Sequence, residues 1–142
     1  MLLSVALQLT PYDAPIAPPR IAYRSHSWLA ARGCGGRPCT IQGLYLDGNV
    51  IYLDRELQPL NTPEAQSVLL HELVHYLQHK SGQFPSECEA RVQREREAYV
   101  AQARFLITRG VLAGVAYAPG PCPSDDTALT STGSSSKGST PD

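Results

Sequence analysis

The sequence has no long apolar run, no excess of either charge and no internal repeat. Its best apolar stretches, residues 1–9 and 111–118, fall well short of the roughly 18 residues that span a bilayer, so no transmembrane segment is expected. With 12 Lys and Arg against 13 Asp and Glu, the formal net charge is −1. Nucleic acids and anionic membranes are recognised by clustered cations, which this chain lacks, so neither is an expected partner. The apolar start has no basic residues before it and is very short; it reads as an amphipathic helix, and no signal peptide is evident. Oligomeric state cannot be read from the sequence.

Cysteine is sparse but even in number: Cys34, Cys39, Cys88 and Cys122. Cys34 and Cys39 flank the turn-like Gly35-Gly36-Arg37-Pro38, so a short-loop disulfide is expected there. A structural zinc site is the alternative, but the paired C-x2-C knuckles typical of such sites are missing. Four cysteines allow three pairings, and spacing does not choose among them. Disulfides would imply an exported protein, periplasmic or secreted.

What is present is an ordinary globular composition, 42% hydrophobic and 18% charged, enough to bury a core. Residues 1–118 form the expected domain. From Pro119 the chain turns to Gly, Pro, Ser, Thr and Asp, so 119–142 reads as a tail, disordered from 123 onward because it lacks apolar area to offset its ordering entropy.

Along the domain, residues 2–9 predict a helix ending before Pro11, and Pro15, Pro18 and Pro19 force an extended connection. Ile21, Ala22 and Tyr23 suggest a strand, and residues 25–32 a short helix with a serine cap and Trp28 as apolar anchor. Residues 41–54 place aliphatic and aromatic residues on both sides of Asp47-Gly48-Asn49, a hairpin signal. Asn61, Thr62, Pro63 and Glu64 open a helix that runs towards Gly82, apolar on most of its circumference and therefore buried. A second helix begins near Pro85, where Ser86 and Glu89 suggest a capping box, and stops at Gly110. The fold class is α+β.

The buried helix carries His71-Glu72-Leu73-Val74-His75. Histidines four apart stack on one helix face about 6 Å apart along the axis, so both imidazoles can share one metal. Glu72, rotated by about 100°, can reach a water on that metal without ligating it, which is the position of a general base. Three ionisable groups inside an apolar segment are costly unless a metal or partners satisfy them. Zinc suits these donors, and would lower the pKa of its water towards about 7 and polarise a carbonyl, which implies amide hydrolysis.

A catalytic zinc needs a third protein ligand. On the second helix Cys88, Val92, Glu95, Tyr99, Gln102 and Leu106 recur at alternating steps of four and three, so Glu95 faces inward. Glu97 falls on the opposite side and reads as a solvated charge. His26 and His79 read as exposed histidines.

His71-Glu72-Leu73-Val74-His75 with Glu95 twenty residues after the second histidine resembles the gluzincin metallopeptidases. Residues Glu95-Arg96-Glu97-Ala98-Tyr99 also resemble the E-x-x-A-D signature of related metallopeptidases, in which the first glutamate binds zinc. Where those families use an aspartate to orient a histidine ligand, this chain has Tyr99, the candidate for that role. The resemblance implies a minimal zincin-like, thermolysin-like core of the kind found in small bacterial domains, with a small antiparallel or mixed sheet packed against the H-E-x-x-H helix and the glutamate helix. It further implies that the strand before the motif helix, Val50, Ile51, Tyr52 and Leu53, is the sheet edge along which a peptide or protein substrate lies. The competing function is a non-catalytic, zinc-containing secreted interaction or structural domain. Retention of Glu72 argues against it, because a purely structural site has no use for a base.

Overall fold

A computed structural model describes residues 1–15, 17–82, 85–112 and 117–123. Of the segment expected to be disordered from 123 onward, residues 124–142 lie outside the described residues. The elements in chain order are α1 (Leu2–Leu9), β1 (Arg20–Arg24), α2 (His26–Gly33), β2 (Gly43–Tyr45), β3 (Val50–Asp54), a single 3-10 turn (Arg55–Leu57), α3 (Pro63–Lys80) and α4 (Cys88–Thr108). Among the described residues the fold is α+β, four helices and a small mixed sheet, with α2 and α3 packed on the sheet and α1 and α4 packed on α3.

The organising element is α3. Thr62 Oγ1 accepts from the Ala65 N–H, and Pro63 follows, where its missing N–H costs nothing. Of the four residues expected to open the helix, Thr62 is thus the cap. Twelve of the 18 helix residues are buried, because α1, β2, β3 and α4 all pack against it. Leu70, Leu73, Tyr76 and Leu77 share one core with Ala6, Ile51, Leu53 and Phe105. Truncating Leu70, which is fully buried, would cost about 2 to 5 kcal/mol.

The sheet order is β1-β3-β2. The hairpin is present, with β2 antiparallel to β3 and Leu44 opposite Tyr52. A parallel crossover through α2 then lays β1 on the other side of β3, Ile21 opposite Ile51. This corrects the edge-strand expectation. Val50, Ile51, Tyr52 and Leu53 lie in the central strand, with both neighbours hydrogen-bonded, and cannot accept a substrate strand; the edge beside α3 is β2. Ser25 caps α2 through the Trp28 N–H, as anticipated.

On α4 the buried residues are Ala98, Ala101, Phe105 and Leu106. Ala98 and Ala101 pack with Val74, and such small side chains let two helices approach closely. The predicted Ser86/Glu89 box is not formed; Glu87 is the N-cap residue, without a side-chain bond. Gly110, at φ +75°, ends the helix where the left-handed conformation is required. Disulfides join Cys34 to Cys39 and Cys88 to Cys122, which fits an oxidising environment. Among the described residues no helix is long and apolar enough to cross a membrane.

Candidate metal centre

Helices α3 and α4 bring His71, His75 and Glu95 together, as the helical phase predicts. His71 Nε2 and His75 Nε2 lie 3.1 Å apart. The Glu95 carboxylate reaches both, at 3.3 Å from His71 Nε2 and 3.1 Å from His75 Nε2. The three ligand atoms lie within 4.8 Å of one another. Both histidines are buried, at 8% and 7% exposure, while the Glu95 side chain is 39% exposed on the solvent side.

The far side of each imidazole is held by a glutamine. His71 Nδ1 is 3.1 Å from Gln102 Oε1, and His75 Nδ1 is 2.9 Å from Gln78 Oε1. Both amides are oriented by their other ends. Gln102 Nε2 donates to Ser67 Oγ, whose own hydrogen goes to the Glu64 carbonyl. Gln78 Nε2 donates to the Arg94 carbonyl and to Glu97 Oε2. The amide oxygens therefore face the rings and accept from Nδ1–H, which leaves each neutral imidazole with its lone pair on Nε2. Two lone pairs and a carboxylate then converge on one point, an arrangement that is repulsive without a cation. The residues fit a metal ion.

Protonation energetics agree. Burial alone would depress His75, but Glu95 and Glu72 beside it raise its pKa above the ordinary 6.5. Burial alone would raise Glu95; the hydrogen bonds and charge of the two histidines override that and hold it well below the usual carboxylate range. A proton on His75 is thereby favoured beside the two carboxylates.

Glu72 ligates nothing in this cluster. Its carboxylate is buried, accepts a main-chain hydrogen bond from Tyr45 on β2, and has its pKa raised by desolvation against the opposing pull of both histidines. It packs so tightly on Gly43 that a Cβ there would sit 2.8 Å from its Cγ. His71, Glu72, His75, Glu95, Tyr99 and β2 all line one cleft of about 460 Å³. Its wall continues through Cys39 to Gly33, so the Cys34–Cys39 disulfide braces the cleft rim.

Several sequence expectations change. Tyr99 does not orient a histidine by hydrogen bonding; its ring meets His71 edge to face at 4.5 Å and stacks on Tyr117 at 4.9 Å. The orienting residues are Gln78 and Gln102, and a signal for both exists. Gln78 lies seven residues after His71 and Gln102 seven after Glu95, two helical turns along the same faces. Glu97 is not a solvated outer charge. It is half-buried and accepts from Tyr12 Oη at 2.6 Å and from Gln78 Nε2 at 2.7 Å. His79 is likewise partly buried, 2.5 Å from the Tyr45 hydroxyl, and only His26 stays largely exposed, beside Asp54 at 3.3 Å.

A family model described as a domain of unknown function, DUF6647, matches residues 10–119. That is most of the chain, and the protein belongs to this family. No curated protein and no solved structure matches it.

Proposed function

We propose that this DUF6647 protein is a zinc-dependent peptidase of the gluzincin type, exported to an oxidising compartment, that hydrolyses peptide bonds in peptides or proteins. The observation that carries the reading is the convergence of His71 Nε2, His75 Nε2 and the Glu95 carboxylate beside a second acid, Glu72, that stands outside this donor set. Two imidazoles and one carboxylate are the donor set of a catalytic zinc, and a purely structural zinc is usually closed by four ligands. Bound there, zinc would supply Lewis acidity, making water a nucleophile near neutral pH and polarising a carbonyl.

The chain supplies the rest. Glu72 takes the proton of the attacking water and returns it to the departing amine nitrogen, so the amine leaves neutral. The Tyr45 N–H and the close fit against Gly43 hold its carboxylate in one place. Strand β2 lines the cleft and is an edge of the sheet. A substrate backbone can pair with that edge through main-chain hydrogen bonds, which read few side chains and give broad sequence tolerance.

The test is hydrolysis of an unfolded protein by the full chain, with and without chelator, beside Glu72→Gln. The wild type should cleave and lose activity to the chelator, whereas the variant should keep its zinc and lose most turnover. Equal cleavage by the two proteins would remove Glu72 from the mechanism. Zinc binding with no hydrolysis of any peptide would favour a non-catalytic domain.

A further inference from the structure

We propose that Glu97 and Tyr12 are positioning residues for the metal ligand His75, acting through Gln78. The inference rests on the metal-centre reading above. Glu97 touches neither histidine. What it controls is which end of the Gln78 amide meets His75.

The two ends of a glutamine amide are nearly alike in shape and opposite in hydrogen bonding. With Oε1 towards His75, Nδ1 carries the proton and Nε2 offers its lone pair to the metal. A flipped amide would present its NH2 group to Nδ1, move the proton to Nε2 and block the ligand atom. The choice is made at the other end, where Gln78 Nε2 meets two acceptors, Glu97 Oε2 at 2.7 Å and the Arg94 carbonyl at 3.1 Å. Flipping would set a carbonyl oxygen against both, losing two hydrogen bonds and adding repulsion. Gln78 has 0% exposure, so solvent cannot supply the missing partner.

Glu97 is held in turn by the Tyr12 hydroxyl at 2.6 Å, from the connection between α1 and β1. Burial, then the bond to Glu97 and its charge, raise the Tyr12 pKa, so the phenol stays a donor. The chain Tyr12, Glu97, Gln78, His75 thus runs from the N-terminal connection to the metal. His71 differs. Its Gln102 is locked by Ser67, which bonds to the Glu64 carbonyl of the same helix. The two ligands thus have separate outer supports, although their Nε2 atoms meet, and a defect at Glu97 should act through the His75 tautomer.

The experiment compares full-length wild type, Glu97→Ala, Tyr12→Phe and Ser67→Ala by two readouts. Histidine side-chain 15N shifts, recorded on zinc-free protein at alkaline pH, report which ring nitrogen carries the proton. Zinc affinity is measured by chelator competition. In Glu97→Ala the His75 tautomer should become mixed, with His71 moved less, and zinc affinity should fall by roughly 10 to 100-fold, the usual loss when a ligand's hydrogen-bonded support is removed. Tyr12→Phe should move the same signal less, and Ser67→Ala should move chiefly His71. A folded Glu97→Ala with His75 still protonated only at Nδ1 and wild-type zinc affinity would overturn the proposal; if that variant does not fold, Tyr12→Phe decides on the same two readouts. Absence of zinc binding by the wild type would sink the metal centre itself, while the tautomer comparison on zinc-free protein would still decide the role of Glu97.

Discussion

A single methyl group at position 43 should separate metal binding from catalysis. A Cβ on Gly43 would lie 2.8 Å from Glu72 Cγ, 2.9 Å from Glu72 Oε1 and 3.0 Å from Val68 Cγ1. Ordinary contact begins near 3.4 Å, so the Glu72 side chain must retreat by about half an ångström, or β2 must lift from α3. Retreat moves Glu72, the proposed base, and not the proposed metal ligands. Since a misplacement of about 1 Å can cost a hundredfold in rate, Gly43→Ala should lower kcat/KM by roughly tenfold or more. Overpacking at a buried contact adds a stability loss of about 1 to 3 kcal/mol. Zinc affinity should stay at the wild-type value, because His71, His75 and Glu95 do not touch this position. Turnover of an unfolded protein, chelator competition for zinc and a thermal melt, on one preparation, test all three. Unchanged turnover together with an unchanged Tm would refute the claim that Glu72 is wedged between helix and strand, and with it the account of how the base is held.

Other outcomes follow from the same geometry. Glu95→Ala should lower zinc affinity by at least roughly 10 to 100-fold, since it removes a ligand where loss of an outer support already costs that much; wild-type affinity in chelator competition would exclude Glu95 as a ligand. Zinc-free stability should carry two opposite pH dependences. The raised pKa of His75 gives a contribution complete below its unfolded value of 6.5 and lost as pH rises through the folded value, whereas the depressed Glu95 contributes above 4.5 and is lost as pH falls. Zinc must displace the imidazole proton, so the Tm gained on adding zinc should grow as pH rises from 5 to 8; a gain that shrinks over that range would contradict the ligand set. Replacing Cys88 and Cys122 by serine opens a loop of sequence separation 34 and should lower stability by roughly 2 to 4 kcal/mol, read from denaturant midpoints.

The order of helices and strands was legible because each has a local signal: the Ser25 cap, the turn at Gly48, Pro63 at a helix start, Gly110 at a stop. The three converging groups were legible for a related reason, since the phase of His71 and His75 on α3 and of Glu95 on α4 can each be read from spacing along its own helix. Strand order was not. Whether β3 is an edge depends on where β1 lands after a crossover, and nothing in residues 50–54 records that. The misreading of Glu97 has a geometric cause. The buried arc of α4 is centred on Ala98, Ala101 and Phe105, so Glu95 and Glu97 lie on its two flanks, one facing the histidines and the other facing Gln78 and Tyr12. A narrow stripe through Glu95 had no place for a second inward carboxylate. The glutamine supports were also obscured, because an amide on a buried helix face has no meaning until its partners are known.

The two edges of the small sheet differ in how they would meet another chain. Strand β1 begins and ends with exposed arginines, Arg20 and Arg24. A second copy approaching that edge would bring like charges together, a common safeguard against self-association and fibre growth. Strand β2 has no charged residue and is only three residues long. It is too short to nucleate an aggregate readily, yet open enough to take a passing extended segment. One border of the sheet thus carries its own guard against like molecules, while the other would serve the substrate pairing of the proposed function.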